Sequence, residues 1–149
     1  MPEKQSVDTI IYAAYILPVV PKGIVHKNHA LVIDDGKILA LLPYAQCESL
    51  YTATHTHRLN THVVMPGLIN AHGHAAMSLF RGLADDLPLM DWLNNHIWPA
   101  EGKWVSEAFV RDGTRLAIAE MIRSGTSCFS DMYFFPEIAA DVAIEMNIR

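Results

Sequence analysis

Two histidines one residue apart, His72 and His74, are the residues of this chain whose type and spacing best suit chemistry. They close the run Val63-Val64-Met65-Pro66-Gly67-Leu68-Ile69-Asn70-Ala71-His72-Gly73-His74, which reads as a short apolar strand. Side chains along a strand alternate faces, so the two imidazoles point the same way with their Cβ atoms about 6.6 Å apart. From that separation both can reach one ion at roughly 2.0–2.1 Å, the usual zinc–nitrogen distance. Gly73 between them carries no Cβ and lets the backbone turn at the strand's end. Leu68 and Ile69 suggest a strand buried on both faces, as in a parallel sheet. A histidine pair at the C-terminal mouth of such a strand lies where an α/β barrel keeps its chemistry. A catalytic zinc takes about three protein ligands and a water whose pKa falls to about 7, so His72 and His74 account for two of the ligands.

A rival set exists in His55-Thr56-His57 and His62. Its neighbours Thr52, Thr54, Arg58 and Asn60 are polar, nothing apolar shields it, and the segment from Ala45 to Thr61 reads as an irregular exposed connector. His26 and His29, beside Lys27 and Asn28, read as turn surface. Cys47 and Cys128 are isolated from each other in sequence and are expected to be reduced thiols.

The elements that must position the His72–His74 pair follow from pattern. Asp8–Leu17, Ala30–Ile33 and Lys37–Leu42 are rich in apolar and β-branched residues and read as strands. Asp35-Gly36 between the last two predicts a hairpin, because Gly supplies positive φ without strain. After His74 the period becomes helical. Asp86 is a candidate cap and Pro88 a first-turn residue for a helix whose face is Leu89, Trp92, Leu93 and Ile97, with Pro99 ending it. Trp92 and Trp98 read as core, since aromatics at helical spacing usually are. Ser106 starts a second helix with Phe109, Val110, Gly113, Leu116, Ala117 and Met121 inward and Gly125 as its stop. Thr126–Met132 is a further strand, Pro136–Met146 a third helix with Asn147 as its cap, and Ile148-Arg149 the onset of another strand.

The chain has 149 residues, of which 51% are hydrophobic and 18% charged, so disorder is excluded and a packed core is expected. The net charge of −5 with scattered basic residues offers nothing to nucleic acid or an anionic membrane. Residues 1–5 lack the pattern of a secretory leader and no apolar run approaches the ~18 residues of a spanning helix, so a cytoplasmic location is expected.

The run from Met65-Pro66-Gly67 through His72-Gly73-His74 to Met77-Ser78-Leu79-Phe80-Arg81-Gly82 resembles the first strand and following loop of the amidohydrolase superfamily. Ala84-Asp85-Asp86-Leu87, Trp92-Leu93 and Trp98-Pro99-Ala100-Glu101 look most like the branch that deaminates 5-methylthioadenosine and S-adenosylhomocysteine, close to the triazine chlorohydrolases. The resemblance implies an α/β chain: residues 63–149 as about two βα units of a metal-dependent (β/α)8 TIM barrel, which typically needs about 250 residues, preceded at 1–62 by part of a small β-sandwich. It implies one zinc ion per site on His72 and His74, with further ligands from a fifth-strand histidine, a sixth-strand histidine and an eighth-strand aspartate. A glutamate near the sixth-strand histidine would move protons.

All of those positions are expected beyond Arg149, so no catalytic residue is expected in this chain and the chain alone is expected to be inactive. Glu101 matches a family glutamate that accepts hydrogen bonds from ribose hydroxyls; a solvated acid at a helix end is the alternative. Asp131 matches no ligand, and the sequence does not decide whether Arg81 is a functional cation or a structural loop residue. The implied function is hydrolysis of a non-peptide carbon–nitrogen bond in an adenine nucleoside, a small-molecule partner. Guanine deamination, aromatic dechlorination and a non-catalytic truncated product are the alternatives, and association with a second copy is left open.

Overall fold

The computed structural model describes residues 3–149; Met1 and Pro2 lie outside the described residues. The chain is mixed α/β and divides into two compact units, Met1–Pro66 and Gly67–Arg149.

In the first unit β1 (Gln5–Ile16), β2 (His26–Asp34), β3 (Lys37–Pro43) and β4 (Tyr51–Val64) form one sheet in the order β3-β2-β1-β4, with α1 (Tyr44–Leu50) between β3 and β4 in sequence. β1 pairs antiparallel with β2 and parallel with β4, while β2 and β3 make the expected hairpin. Asp35 and Gly36 both take positive φ, 48° and 68°, as a tight primed turn requires. Val7, Ile10, Tyr12, Ala30, Val32 and Cys47 form the core, so α1 covers the sheet through its one buried residue, Cys47.

Three sequence expectations fail in this unit. The segment from Ala45 to Thr61 is not an irregular connector but most of α1 followed by most of β4. β4 is an edge strand whose side chains are polar on both faces, so it lacks the apolar alternation that marks a strand; Tyr51 and Ala53 alone pack against the core. His26 and His29 lie within β2 and not on a turn, in a stretch where Asn28 takes a positive φ of 52°. Val63 and Val64, read as the start of the histidine strand, instead end β4 opposite Tyr15 and Ile16.

The second unit contains β5 (Leu68–Gly73), a 3-10 helix (Ala75–Phe80), α2 (Leu89–Trp92), α3 (Trp98–Trp104), α4 (Glu107–Arg123), β6 (Thr126–Asp131) and α5 (Pro136–Glu145). β5 and β6 are parallel, as a strand–helix–strand crossover dictates. Beyond α5 the chain turns alongside β6: Phe129 N–H donates to the Arg149 carbonyl at 2.7 Å, and Arg149 N–H donates to the Ser127 carbonyl at 3.2 Å. Leu68 and Ile69, expected to be buried on both faces, are 51% and 70% exposed, because among the described residues β5 has β6 as its one partner strand.

Pro99 does not end its helix. α2 runs through a π-helical turn, Leu93–Ile97, into α3, and Trp98 N–H donates to the Leu93 carbonyl five residues back. The wider turn keeps the pyrrolidine ring clear of the carbonyl one turn earlier, so the helix passes through a residue that usually breaks it. Asp86 does not cap either; it sits at φ 58°, and Pro88 precedes the first turn.

α4 begins as expected, with Ser106 accepting from Phe109 N–H at 3.2 Å. Its buried stripe is Val110, Gly113, Thr114, Ala117 and Ile118, rotated from the expected one so that Leu116 is 39% exposed and Thr114 is inside. Gly113 lets this helix lie directly on the 3-10 turn that follows His74. A Cβ there would stand 2.5 Å from the Ala76 carbonyl oxygen and 2.8 Å from Ala76 Cα, both backbone atoms that cannot swing away. Gly113→Ala therefore sets a helix-propensity gain of about 1 kcal/mol against an overpacking cost of roughly 1–3 kcal/mol. The expected outcome is a lower urea midpoint than wild type with an unchanged slope; a raised midpoint would show that the two backbones are not in contact.

Candidate functional site

β5 delivers His72 within the strand and His74 one residue past it, where the backbone leaves the extended region (φ −133°, ψ 75°) to enter the 3-10 helix. The two imidazole centres are 5.2 Å apart with planes at 83°. Two imidazoles sharing a tetrahedral zinc at about 2.0–2.1 Å have ring centres roughly 5 Å apart, so the observed spacing fits one ion. His74 Nδ1 donates to the Met132 carbonyl at 2.7 Å. A carbonyl can only accept, so this bond fixes the neutral ring as the Nδ1–H tautomer and leaves the Nε2 lone pair free, the arrangement that orients metal-ligating histidines. His72 is held through its backbone, N–H to Asn70 Oδ1 at 3.3 Å.

Asp131, at the end of β6, accepts Ala75 N–H at 2.8 Å and so anchors the first residue of the 3-10 helix. It thus has a structural task. Among the described residues no group of three or more His, Cys, Asp or Glu side chains could hold a metal. β5 and the residue after it bring two imidazoles to one point, whereas His55, His57 and His62 stand exposed along β4.

Beside His74 opens a cleft of about 520 Å³, lined among others by Trp92, Trp98, Glu101, Tyr133 and Phe134. It is largely apolar with a few convergent polar groups, as small-molecule sites are. The expectation that both tryptophans are core is half met. Trp92 is half-buried and its indole N–H donates to the Ala84 carbonyl at 2.9 Å, but Trp98 is 50% exposed at the cleft wall. Glu101 sits in the first turn of α3, and Tyr133 Oη donates to its Oε1 at 2.8 Å. Burial first, and then this hydrogen bond, holds the Tyr133 phenol above its ordinary pKa, so it remains a donor.

Tyr133 was not singled out from sequence; its position directly after a strand end, in Asp131-Met132-Tyr133, is the signal that could have found it. Arg81 makes a bidentate pair with Glu120 on α4, Nη1–Oε1 2.9 Å and Nη2–Oε2 2.7 Å, which holds the Glu120 carboxyl below the usual range. Its side chain ties the loop after the 3-10 helix to α4.

The imidazole pair thus sits at the C-terminal end of a parallel strand in a mixed α/β unit, with a largely apolar cleft beside it. The Amidohydrolase family pattern matches residues 63–149. Over all 149 residues the chain is 57% identical to a 5-methylthioadenosine/S-adenosylhomocysteine deaminase of Saccharophagus degradans, spanning 33% of that protein. It is 45% identical to a 5'-deoxyadenosine deaminase of Methanosarcina barkeri, with 95% of this chain and 32% of that protein aligned. Among solved structures, an adenosine deaminase from Xanthomonas campestris with bound zinc superposes at TM-score 0.96 and 43% identity, covering 99% of this chain and 34% of the other. An atrazine chlorohydrolase from Arthrobacter aurescens complexed with zinc superposes at TM-score 0.83 and 18% identity over 95% of this chain and 34% of the other, a likeness of fold. The chain belongs to the amidohydrolase family. It spans about a third of the length of these relatives.

The bond to Met132 generates a direct expectation. In a long-range ¹H–¹⁵N NMR spectrum, neutral His74 should carry its proton on Nδ1, the reverse of the tautomer that free histidine prefers. A proton on Nε2 would show that the ring is not pre-oriented to present Nε2 to a metal.

Proposed function

We propose that this chain is the metal-nucleating part of a cytoplasmic, zinc-dependent amidohydrolase that hydrolytically deaminates 5-methylthioadenosine, S-adenosylhomocysteine or a related adenine nucleoside. In this proposal residues 63–149 are the opening βα units of a (β/α)8 barrel and residues 1–62 contribute to a small β-sandwich. His72 and His74 hold the zinc together with ligands from other segments of such a protein, which also supply the proton-transferring glutamate. The observation that carries this reading is the imidazole pair at 5.2 Å, with His74 held through Nδ1. The names of the relatives and of the zinc-bound neighbour support it.

When bound, zinc would supply Lewis acidity and a water acidified to a pKa of about 7. The residues of this chain then have separable tasks. His72 and His74 offer neutral nitrogen ligands. Trp92 and Trp98 offer aromatic surface suited to a flat purine, and Glu101 accepts hydrogen bonds from the ribose hydroxyls. No helix among the described residues is long and apolar enough to cross a membrane. Two ligands alone cannot fix a hydrolytic zinc, so the 149 residues by themselves are expected to show no turnover.

Metal analysis of the active enzyme checks the ligand assignment. His72→Ala and His74→Ala should each remove most of the zinc, while His55→Ala and His57→Ala should keep near-normal content; zinc loss in the second pair would move the site to β4. Kinetics check the substrate class. Glu101→Gln replaces an anionic acceptor, whose hydrogen bond is worth roughly 1.5–3 kcal/mol, with a neutral one worth about 1. Turnover of ribonucleosides should fall several-fold while substrates lacking the hydroxyls lose far less. Equal losses on both would make Glu101 a structural acid.

A further inference from the structure

We infer that Tyr133 is a positioning residue for nucleoside binding: its hydroxyl locks the Glu101 carboxylate through Oε1, leaving Oε2 turned to the ribose hydroxyls. This rests on Glu101 being the ribose acceptor, as proposed above. Tyr133 Oη to Glu101 Oε1 is 2.8 Å, a contact between a strand end and a helix 32 residues earlier in the chain. A free glutamate side chain has three rotatable bonds and loses rotamer freedom when a ligand must order it. A tyrosine has two, and this one is already fixed. Its ring packs against the cluster of Ala76, Val110, Ile138 and Ala139 and stands edge-on to Phe134 at 5.1 Å.

The rigid ring therefore transfers its order to the acid, and the gain appears as affinity through pre-organisation. The tip of β6 also serves the other half of the site. The Met132 carbonyl holds His74 Nδ1, and the Tyr133 ring centre is 6.4 Å from that of His74. One dipeptide at the tip of β6 thus sets the distance between the ribose acceptor and the metal ligand.

The test uses calorimetric binding of inosine and 2',3'-dideoxyinosine, deaminated nucleosides that are not turned over, to the zinc-loaded enzyme. Tyr133→Phe should bind inosine roughly fivefold more weakly and dideoxyinosine within about twofold of wild type. In the Glu101→Gln background the same change should add nothing, since the partners act as a unit. Equal weakening for both ligands, or additive losses in the double variant, overturns the positioning role. A Glu101→Gln variant that loses its preference for inosine beside a Tyr133→Phe variant that keeps it rejects Tyr133 alone. Unchanged preference in Glu101→Gln removes the ribose-acceptor reading and this inference with it. Independently of binding, the ¹³Cζ resonance of Tyr133 should move in Glu101→Gln; an unmoved resonance means the bond does not form.

Discussion

The hydrogen bond from His74 Nδ1 to the Met132 carbonyl is the constraint on which the rest of the site depends. It joins the end of β5 to the end of β6 across 58 positions of sequence, so it exists only when the intervening helices have folded back and the strands have paired in register. Three consecutive residues at the tip of β6 share the work. The Asp131 carboxylate holds the Ala75 N–H, the Met132 carbonyl holds the His74 ring, and the Tyr133 hydroxyl holds Glu101. A slip of β6 by one residue would reverse its faces and break all three together. The chemistry of His74 is therefore a property of the parallel register and not of the histidine strand alone.

The helical segment between the two strands solves a second problem, which is to bring an acid to the same mouth. Glu101 reaches the cleft because the helix continues past Pro99, and it continues because the π-helical turn from Leu93 to Ile97 absorbs the proline. A turn of this kind inserts a residue into the helical ladder and rotates everything after it. Ile97, inside that turn, is buried, while Trp98 just beyond it faces the cleft. On the other side, α4 approaches the 3-10 helix closely because position 113 has no side chain. The Arg81–Glu120 pair then ties the exposed end of that helix to α4.

What the sequence discloses is what local chemistry dictates. The Asp35-Gly36 turn, the Ser106 cap and the positive φ of Gly125 and Asn147 each depend on a few neighbouring residues, and each is present. The His72–His74 pair is legible because two positions in a strand share a face whatever else the fold does. The misses share a different character. β4 is a strand by pairing with β1, not by its own polar pattern, and Thr114 is buried beside Gly113, where α4 lies directly on the Ala76 backbone. Tyr133 acquires its role from a partner 32 residues away, and no periodicity around it records that partner. Long-range pairing overrides local preference at each of these positions.

The two histidines are not equivalent, and the difference would matter to the metal site proposed above. His74 is half-buried, its tautomer and ring orientation fixed before any ion arrives. His72 is exposed, and its hydrogen bond runs through its backbone N–H, so in the proposed site its ring would be ordered only on binding. Ordering one such side chain costs about 0.5–1.5 kcal/mol, a cost His74 does not incur at binding. In the zinc site proposed above, His74 would offer a nitrogen already aimed, whereas His72, whose ring centre lies 5.2 Å away, would still have to be ordered. The affinity of such a pair would then depend on the integrity of the β6 tip more than on the exposed imidazole. Met132, which would not touch the metal, would act on it through the carbonyl that holds His74.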